Sequence, residues 1–493
     1  MLLFLGGLAL LAIGYFTYGK LVDRIVGPDD RPTPATRCAD GVDFMILPTW
    51  KAMLIQLLNI AGIGPVIGVI LGIKYGTAAF WIIPVGNIIG GSVHDFVSAM
   101  MSMRADGANL PELMRRTCGR FFYGIFSVFM CFLLLLVVAV FINVPASLLD
   151  KGFFPQYEFF WIAVAVVFVY YIIATFFPID QIIGRFYPVF GAVLLLGTLA
   201  IFIKLMIDAG QDHSLLLESA EFKANMFTAP KQPILPMLFV TIACGILSGF
   251  HATQSPIITR TLKSERDARR CFYGMMVLEG VIAMVWAGAA LAIYNHSPAL
   301  MKQNPNYVLT QITDHFLGSW VGGVTIISVV ILAVTSGDTA MRSLRLSLAE
   351  MFHVPQQKLV NRVLLCLPLI LLTIVLLYWS NRNAQSFNIL WNYFAWGNQV
   401  LAAATLMGAS IWLVSLKKAA IITLAPGMFM TFIVSTYILW IAPERGNGAY
   451  GCGIALQYAY CCGIVIAVAA AIASICIGLQ KRKLNDPEWL AKK

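Results

Sequence analysis

Runs of about twenty apolar residues follow one another along nearly the whole chain, separated by short polar stretches. Each run is long enough to cross a hydrocarbon layer of about 30 Å as a helix. The pattern predicts about thirteen spans. They lie near 2–22, 48–73, 78–103, 121–142, 158–177, 187–207, 235–258, 273–295, 318–350, 361–379, 389–415, 419–441 and 454–479. The first run lacks a basic leading segment and a small-residue cleavage site, so it reads as a retained span rather than a signal peptide.

Two of the runs are interrupted by residues that a lipid-facing helix has no use for. The span at 48–73 carries "NIAGIGPVIG", with Gly62, Gly64 and Pro65 near its centre, and these break helices. Five spans later, the span at 235–258 carries "SGFHATQSP", with Gly249, His251, Thr253 and Gln254. An odd offset makes the two interrupted spans cross in opposite directions. That is the mark of a five-plus-five inverted repeat whose two discontinuous helices meet at mid-depth. A simple proline kink would explain either segment alone, but not their matching positions. The expected organisation is an N-terminal extra helix and loop over 1–47 and a first repeat over 48–207. An external loop over 208–234, a second repeat over 235–416 and two extra helices with a basic tail over 417–493 complete it. The fold class is all-α and polytopic, with unwound backbone at 62–65 and 249–254 facing a cavity.

Composition changes this picture little. Of 493 residues 59% are hydrophobic and 12% charged, about half the charged share of a soluble protein. The net charge of +10 is distributed between spans rather than on one face, which removes nucleic acid as a partner. Placing the N-terminus outside leaves 8 of 34 Lys and Arg on the external side (Lys74, Lys151, Lys204, Lys223, Lys231, Lys302, Arg382 and Arg445). The excess of positive charge inside then fixes an N-out, C-in orientation. The ten cysteines show no C-x-x-C spacing and read as small residues in a bundle.

Helix ends freed at the two breaks carry unpaired N–H groups that attract a carboxylate. Gly62, Gly64, Pro65, Gly249, His251, Thr253 and Gln254 are therefore the candidate substrate contacts, although His251 would equally brace the break. "GGSVHDF" puts His94 and Asp95 inside the third span, about 13 Å from its inner end. A carboxylate there needs a partner or a proton. Adjacent residues point about 100° apart on a helix, so His94 and Asp95 are not expected to pair with one another, and Arg104 or Arg342 are alternatives. Glu279 is a lone carboxyl among apolar residues, expensive when charged, and suits either proton carriage or a structural hydrogen bond. "VTSGDTA" gathers Thr335, Ser336, Asp338 and Thr339, oxygens suited to a hard cation such as Na+, with Thr335 and Ser336 as the candidate ligands. Asp338 alternatively carries H+ or pairs with Arg342. "WNYFAWGNQ" offers Trp391, Asn398 and Gln399 as cavity lining or a gate, and "RTLKSERDARR" reads as a solvated internal loop.

The blocks "AGIGPVIGVILG" (61–72), "WIIPVGNIIGGSVHDFVSAMMSMRADGANLPEL" (81–113) and "GFHATQSPIITRTLKSERDARRCFYGMMVLEGVIAMVWA" (249–287) carry a resemblance. With "AVTSGDTAMRSLRLSLAE" (333–350) and "LWNYFAWGNQVLAAATL" (390–406), they resemble the carbon-starvation (CstA) family of bacterial inner-membrane transporters. The first block departs from the family pattern in reading AGIGP where AGAGP is expected. The resemblance implies an APC/LeuT-like fold and cation-coupled (H+ or Na+) uptake of short peptides or pyruvate across the inner membrane, in nutrient scavenging, with no cofactor. A passive channel for small organic anions is the rival, but polar residues concentrate at two breaks rather than along a continuous lining. An intramembrane enzyme has no H-E-x-x-H or G-x-S-x-G to stand on. Expected partners are a small-molecule substrate and membrane lipids; the sequence does not fix the oligomeric state.

Overall fold

The computed structural model describes residues 1–493 apart from 42, 154–155, 177–178, 227–231, 446–447, 484–485, 487 and 492–493. The part of the expected external loop at 227–231, with Lys231, lies outside the described residues. The secondary structure among the described residues is all helical. It opens with α1 (Leu2–Val26). Next come α2 (Thr49–Ile60) and α3 (Gly64–Tyr75), two halves of one span bent by 47°. A long helix, α4, covers 79–104. An amphipathic α5 (Leu110–Cys118), then α6 (Arg120–Gly152), α7 (Phe160–Phe176) and α8 (Ile179–Gln211) follow. The second interrupted segment is α9 (Ile234–Thr241), α10 (Ala243–Ile246) and α11 (Gly249–Thr259). Then come α12 over 269–296 and α13 (Pro305–Met351). The chain closes with α14 (Leu359–Ser380), α15 (Ala384–Ser415), α16 (Ile421–Trp440) and α17 (Leu456–Arg482).

Among the described residues nine helices are long and apolar enough to cross a membrane, or ten with the bent α2–α3 pair. The chain is thus a polytopic membrane protein. The expected unwinding at 249–254 is corrected. The break falls at Leu247–Ser248, where Ser248 is extended at φ −129°, and the polar run is the first turn and a half of α11. The chemistry of the run explains this. A helix starting at Gly249 places its polar side chains inward on the first turns, and the backbone amide of Phe250 is capped from α15. The first break matches the expected place more closely. Helix α2 ends at Ile60, Ala61 to Ile63 are irregular, and a wide i→i+5 turn begins at Gly64. The expected span start at 318 coincides with a bend in α13 at Gly318, whose φ of +71° is accessible to glycine and costly for other residues.

The two breaks adjoin. Helix α10 packs against the wide turn at Gly64–Gly68. Both α11 and α2 pack on α4, α12 or α13 around them. At the basic end, the segment after α1 is tied down by ion pairs. Arg104 holds Glu265 through Nε and Nη2 at 2.6 and 2.7 Å, and Asp29 at 3.3 Å. Arg31 grips Asp29 at 2.8 Å, and Arg266 grips Asp30 at 2.6 Å. The Arg31 guanidinium holds the Asp29 carboxyl at about 2. Arg104 is thereby committed to Glu265 and Asp29 rather than to Asp95. Nor is the 260–270 loop simply solvated: Arg260 and Glu265 are buried, and Arg260 donates to the Gly107 carbonyl at 2.7 Å. The tail folds back here as well, with the Trp489 indole donating to Ser415 Oγ at 3.0 Å and Arg116 to the Leu490 carbonyl at 2.7 Å.

Candidate functional site

Helix α4 does not keep one periodicity. A wide turn at Asn87–Gly91, in "NIIGG", resets its phase before Ser92. The Asn87 amide holds this turn by donating to the Met276 carbonyl of α12 at 2.8 Å. The next turn carries His94 and Asp95 into the packed centre, where α4 meets α11.

There the structure joins four side chains nominated separately from sequence. Asp95 Oδ1 lies 2.9 Å from His94 Nδ1, and Asp95 Oδ2 lies 3.0 Å from His251 Nδ1. His251 Nε2 lies 4.0 Å from Glu279 Oε2. None of the four residues is more than 2% exposed. The expectation that His94 and Asp95 do not pair is therefore corrected. The Nδ1 of a histidine sits close to its own backbone, and a neighbouring carboxylate can curl back to it despite the 100° separation. The row reads His94–Asp95–His251–Glu279 and crosses three helices. With Nδ1–H donating to the carboxylate, His251 presents a lone pair at Nε2 toward Glu279. The 4.0 Å gap exceeds a hydrogen bond, so a proton passes there only after a small side-chain movement or through a water. His94 Nε2 and both Glu279 oxygens have no hydrogen-bond partner, and neither does the amide of Gln254, itself fully buried. Unsatisfied polar atoms at this density are costly unless a ligand, water or proton meets them.

The remaining candidates divide. Thr253 turns its hydroxyl to the Phe250 carbonyl at 2.7 Å, the preceding turn of its own helix. Gly62, Gly64 and Pro65 lie buried at the first break. Ser336 Oγ donates to the Asn59 carbonyl at 3.2 Å, one of the groups freed where α2 ends. Thr339 donates to Asn59 Oδ1 at 3.1 Å. Thr335 points elsewhere, to the Ile331 and Leu332 carbonyls, because it lies about 100° around the helix from Ser336. The hydroxyl pair at the first break is thus Ser336 and Thr339, not Ser336 and Thr335. Asp338 is buried with Oδ2 unpartnered, while Arg342 donates to the Ala174 carbonyl at 3.3 Å.

Asn398 and Gln399 bond backbone groups beside the second break. Asn398 Oδ1 accepts from Phe250 N at 3.2 Å and Gln399 Nε2 donates to the Leu247 carbonyl at 2.8 Å. They satisfy the backbone groups on the two sides of the second break. Gly249 allows the approach: a Cβ there would sit 2.4 Å from the Asn398 carbonyl oxygen. Trp391 borders a cavity of about 540 Å³ with Tyr75, Asn388 and Asn392. From it a line of rings runs inward, Trp391 to Phe394 at 5.5 Å, Phe394 to Phe141 at 6.2 Å and Phe141 to Phe250 at 5.9 Å. On the basic side a cavity of about 890 Å³ is bordered by Asn109, Arg116, Arg260 and Glu350. One residue that sequence reasoning passed over, Asn59, meets Ser336 and Thr339 at the first break, and the buried amide of Gln56 precedes it on α2. Two polar residues three apart in "LIQLLNIAG", just ahead of a break, were the available signal.

The model of the family described as carbon starvation protein CstA matches residues 1–177, 160–320 and 306–437. The chain belongs to this family. A relative of the CstA-family chain in Haemophilus influenzae, described as an uncharacterized membrane protein, is 38% identical over 346 residues, 61% of this chain and 93% of its own. The peptide transporter CstA of Helicobacter pylori is 28% identical over 343 residues, 56% of this chain and 48% of that one. The pyruvate/proton symporter BtsT of Escherichia coli is 27% identical over 323 residues, 53% and 45%. The matches thus span about half the length of the peptide transporter and of the symporter. In fold, the chain is similar to the manganese transporter of Eremococcus coleocola, with a TM-score of 0.58 at 14% identity, covering 90% of this chain and 98% of that one. The chain itself is all-helical and many-span with discontinuous helices, and in fold it resembles transporters of the APC/LeuT-like type.

Proposed function

We propose that this CstA-family protein is a secondary active transporter that imports short peptides or pyruvate by alternating access, coupled to H+. The observation that carries the reading is the buried row His94–Asp95–His251–Glu279 beside the second break. Four titratable groups on three helices, with no water access in this conformation, make a place where a proton can be held and handed on. The unsatisfied Gln254 amide in the next turn of α11 offers hydrogen bonds to a substrate. The reading draws on the names of the relatives for its substrate classes.

The finer architecture belongs to the same proposal: thirteen spans, inverted repeats over 48–207 and 235–416, N-terminus outside and C-terminus inside, in the bacterial inner membrane. The segments at 79–104, 160–176 and 234–259 supply the spans beyond those that pass on length and apolarity. A second reading, Na+ coupling, is favoured by one observation, the convergence of Ser336 and Thr339 on the freed end of α2. Proteoliposomes distinguish the two. Labelled pyruvate or dipeptide should accumulate against its gradient when an inward pH gradient is imposed and should not when only Na+ is supplied. Accumulation driven by Na+ alone transfers coupling to the Ser336 site, and equilibration without accumulation supports a channel.

A further inference from the structure

At the end opposite the basic loops, three elements meet that the central site does not use. They are the C-terminal end of α8, the C-terminal end of α12, and the part of α13 before its bend at Gly318. A pocket of about 360 Å³ lies between them, bordered by Lys204, Asp208, Gln211, Asp212, His296 and His315. The two imidazoles come from different elements, α12 and the first part of α13, and their ring centroids are 6.0 Å apart. Two imidazoles that share one zinc through nitrogens at about 2.1 Å have centroids about 5–6.5 Å apart. The observed separation lies within that range. Both rings reach solvent, so an ion can arrive from outside.

We infer that His296 and His315 form a binding site for a borderline transition-metal cation, Zn2+ being the best matched, that clips α12 to the first part of α13. Among the described residues no three His, Cys, Asp or Glu side chains form a ready cage. The two imidazoles are accordingly the protein ligands, and water fills the other positions. Asp208 adds negative charge from α8, although its carboxylate is held by Lys204 at 2.5 Å. Hard cations have no reason to choose imidazoles, so Mg2+ and Ca2+ are excluded. The bend at Gly318 lets the first part of α13 swing relative to the rest of the helix. A metal across the two histidines restrains that swing and slows any cycle that needs it.

The test uses the purified full chain. Zn2+ is titrated into the protein and thermal unfolding is followed, with Mg2+ as the control. Zn2+ should raise the unfolding temperature in the wild type, and Mg2+ should not. His296→Ala and His315→Ala should each raise the Zn2+ concentration at half effect by about tenfold or more. Neither histidine contributes to the central row, so both variants should fold. In proteoliposomes, Zn2+ should slow uptake by the wild type and spare the double variant. The same Zn2+ midpoint in wild type and double variant, or no thermal response in the wild type, overturns the site. The thermal readout needs no transport, so failure of the transport proposal and failure of this one are distinguishable.

Discussion

Replacing Asp95 with Asn keeps the volume of the side chain and one carbonyl acceptor but removes the charge between His94 and His251. Its carboxylate meets the two imidazoles at 2.9 and 3.0 Å, wholly buried. Unit charges 3 Å apart at an effective dielectric of about 20 attract by about 5 kcal/mol. Any ion pair between this carboxylate and a protonated imidazole loses attraction of that order in Asp95→Asn. The neutral state loses only the difference between charge-assisted and neutral hydrogen bonds, about 1–1.5 kcal/mol per contact. The variant should therefore fold, and it should bind and exchange substrate, but be unable to use a proton gradient. In proteoliposomes, gradient-driven accumulation of labelled pyruvate or dipeptide should drop to background while counterflow without a gradient stays within several-fold of wild type. Wild-type accumulation by well-folded Asp95→Asn protein would refute the proton role of the row. Loss of counterflow together with accumulation would move Asp95 into substrate binding.

Ser336→Ala removes the donor that meets the Asn59 carbonyl and should cost about 1–3 kcal/mol, read as a lower unfolding temperature, whereas Thr335→Val should stay within about 0.5 kcal/mol. Equal losses at both positions would refute the assignment of Ser336 to the first break. Gly249→Ala should destabilise by about 1–3 kcal/mol, because its Cβ would stand 2.3 Å from the Leu401 Cβ and 2.4 Å from the Asn398 carbonyl oxygen. A neutral result would mean that α11 and α15 separate easily. The Asp29 carboxyl, held at about 2 beside Arg31, titrates below its unfolded value near 3.8. Its stabilisation is thus complete above about pH 4 and is lost as pH falls toward 2. Asp29→Asn should flatten that part of the acid unfolding curve, and an unchanged curve would remove Asp29 from the network.

The helices and their order were legible because hydrocarbon length is written directly as apolar runs, and the glycines and proline at 62–65 mark a real break. The second break was displaced by two residues. The signal that fixes it, the Asn398 and Gln399 bonds to Phe250 and Leu247, comes from a helix some 150 positions further along the chain. The polar members of the site were recognisable one by one, since a buried His, Asp or Glu in a membrane helix demands an explanation. Their union was not. It rests on Asp95 reaching back to its neighbour His94 and across to His251 of another helix, contacts that spacing along one helix does not report. In "VTSGDTA" the hydroxyls were legible as a cluster, but which of them meets Asn59 depends on the facing helix end: Thr339 does and Thr335 does not.

The bonds from α15 to the second interrupted segment act as a splint. Leu247 and Phe250, on opposite sides of the break, are fastened to adjacent residues of one unbroken helix. The break therefore cannot serve as a loose joint, and a tilt of α11 carries the middle of α15 with it. Bending has to be taken up where α15 ends, and Lys417, at φ +59° just beyond Ser415, sits at such a place. A cysteine cross-link between α15 and α11 beside the splint should leave turnover intact. One that fastens the Lys417 turn to the start of α16 should arrest it. Turnover lost in the first and kept in the second would mean that the two segments slide past each other during transport.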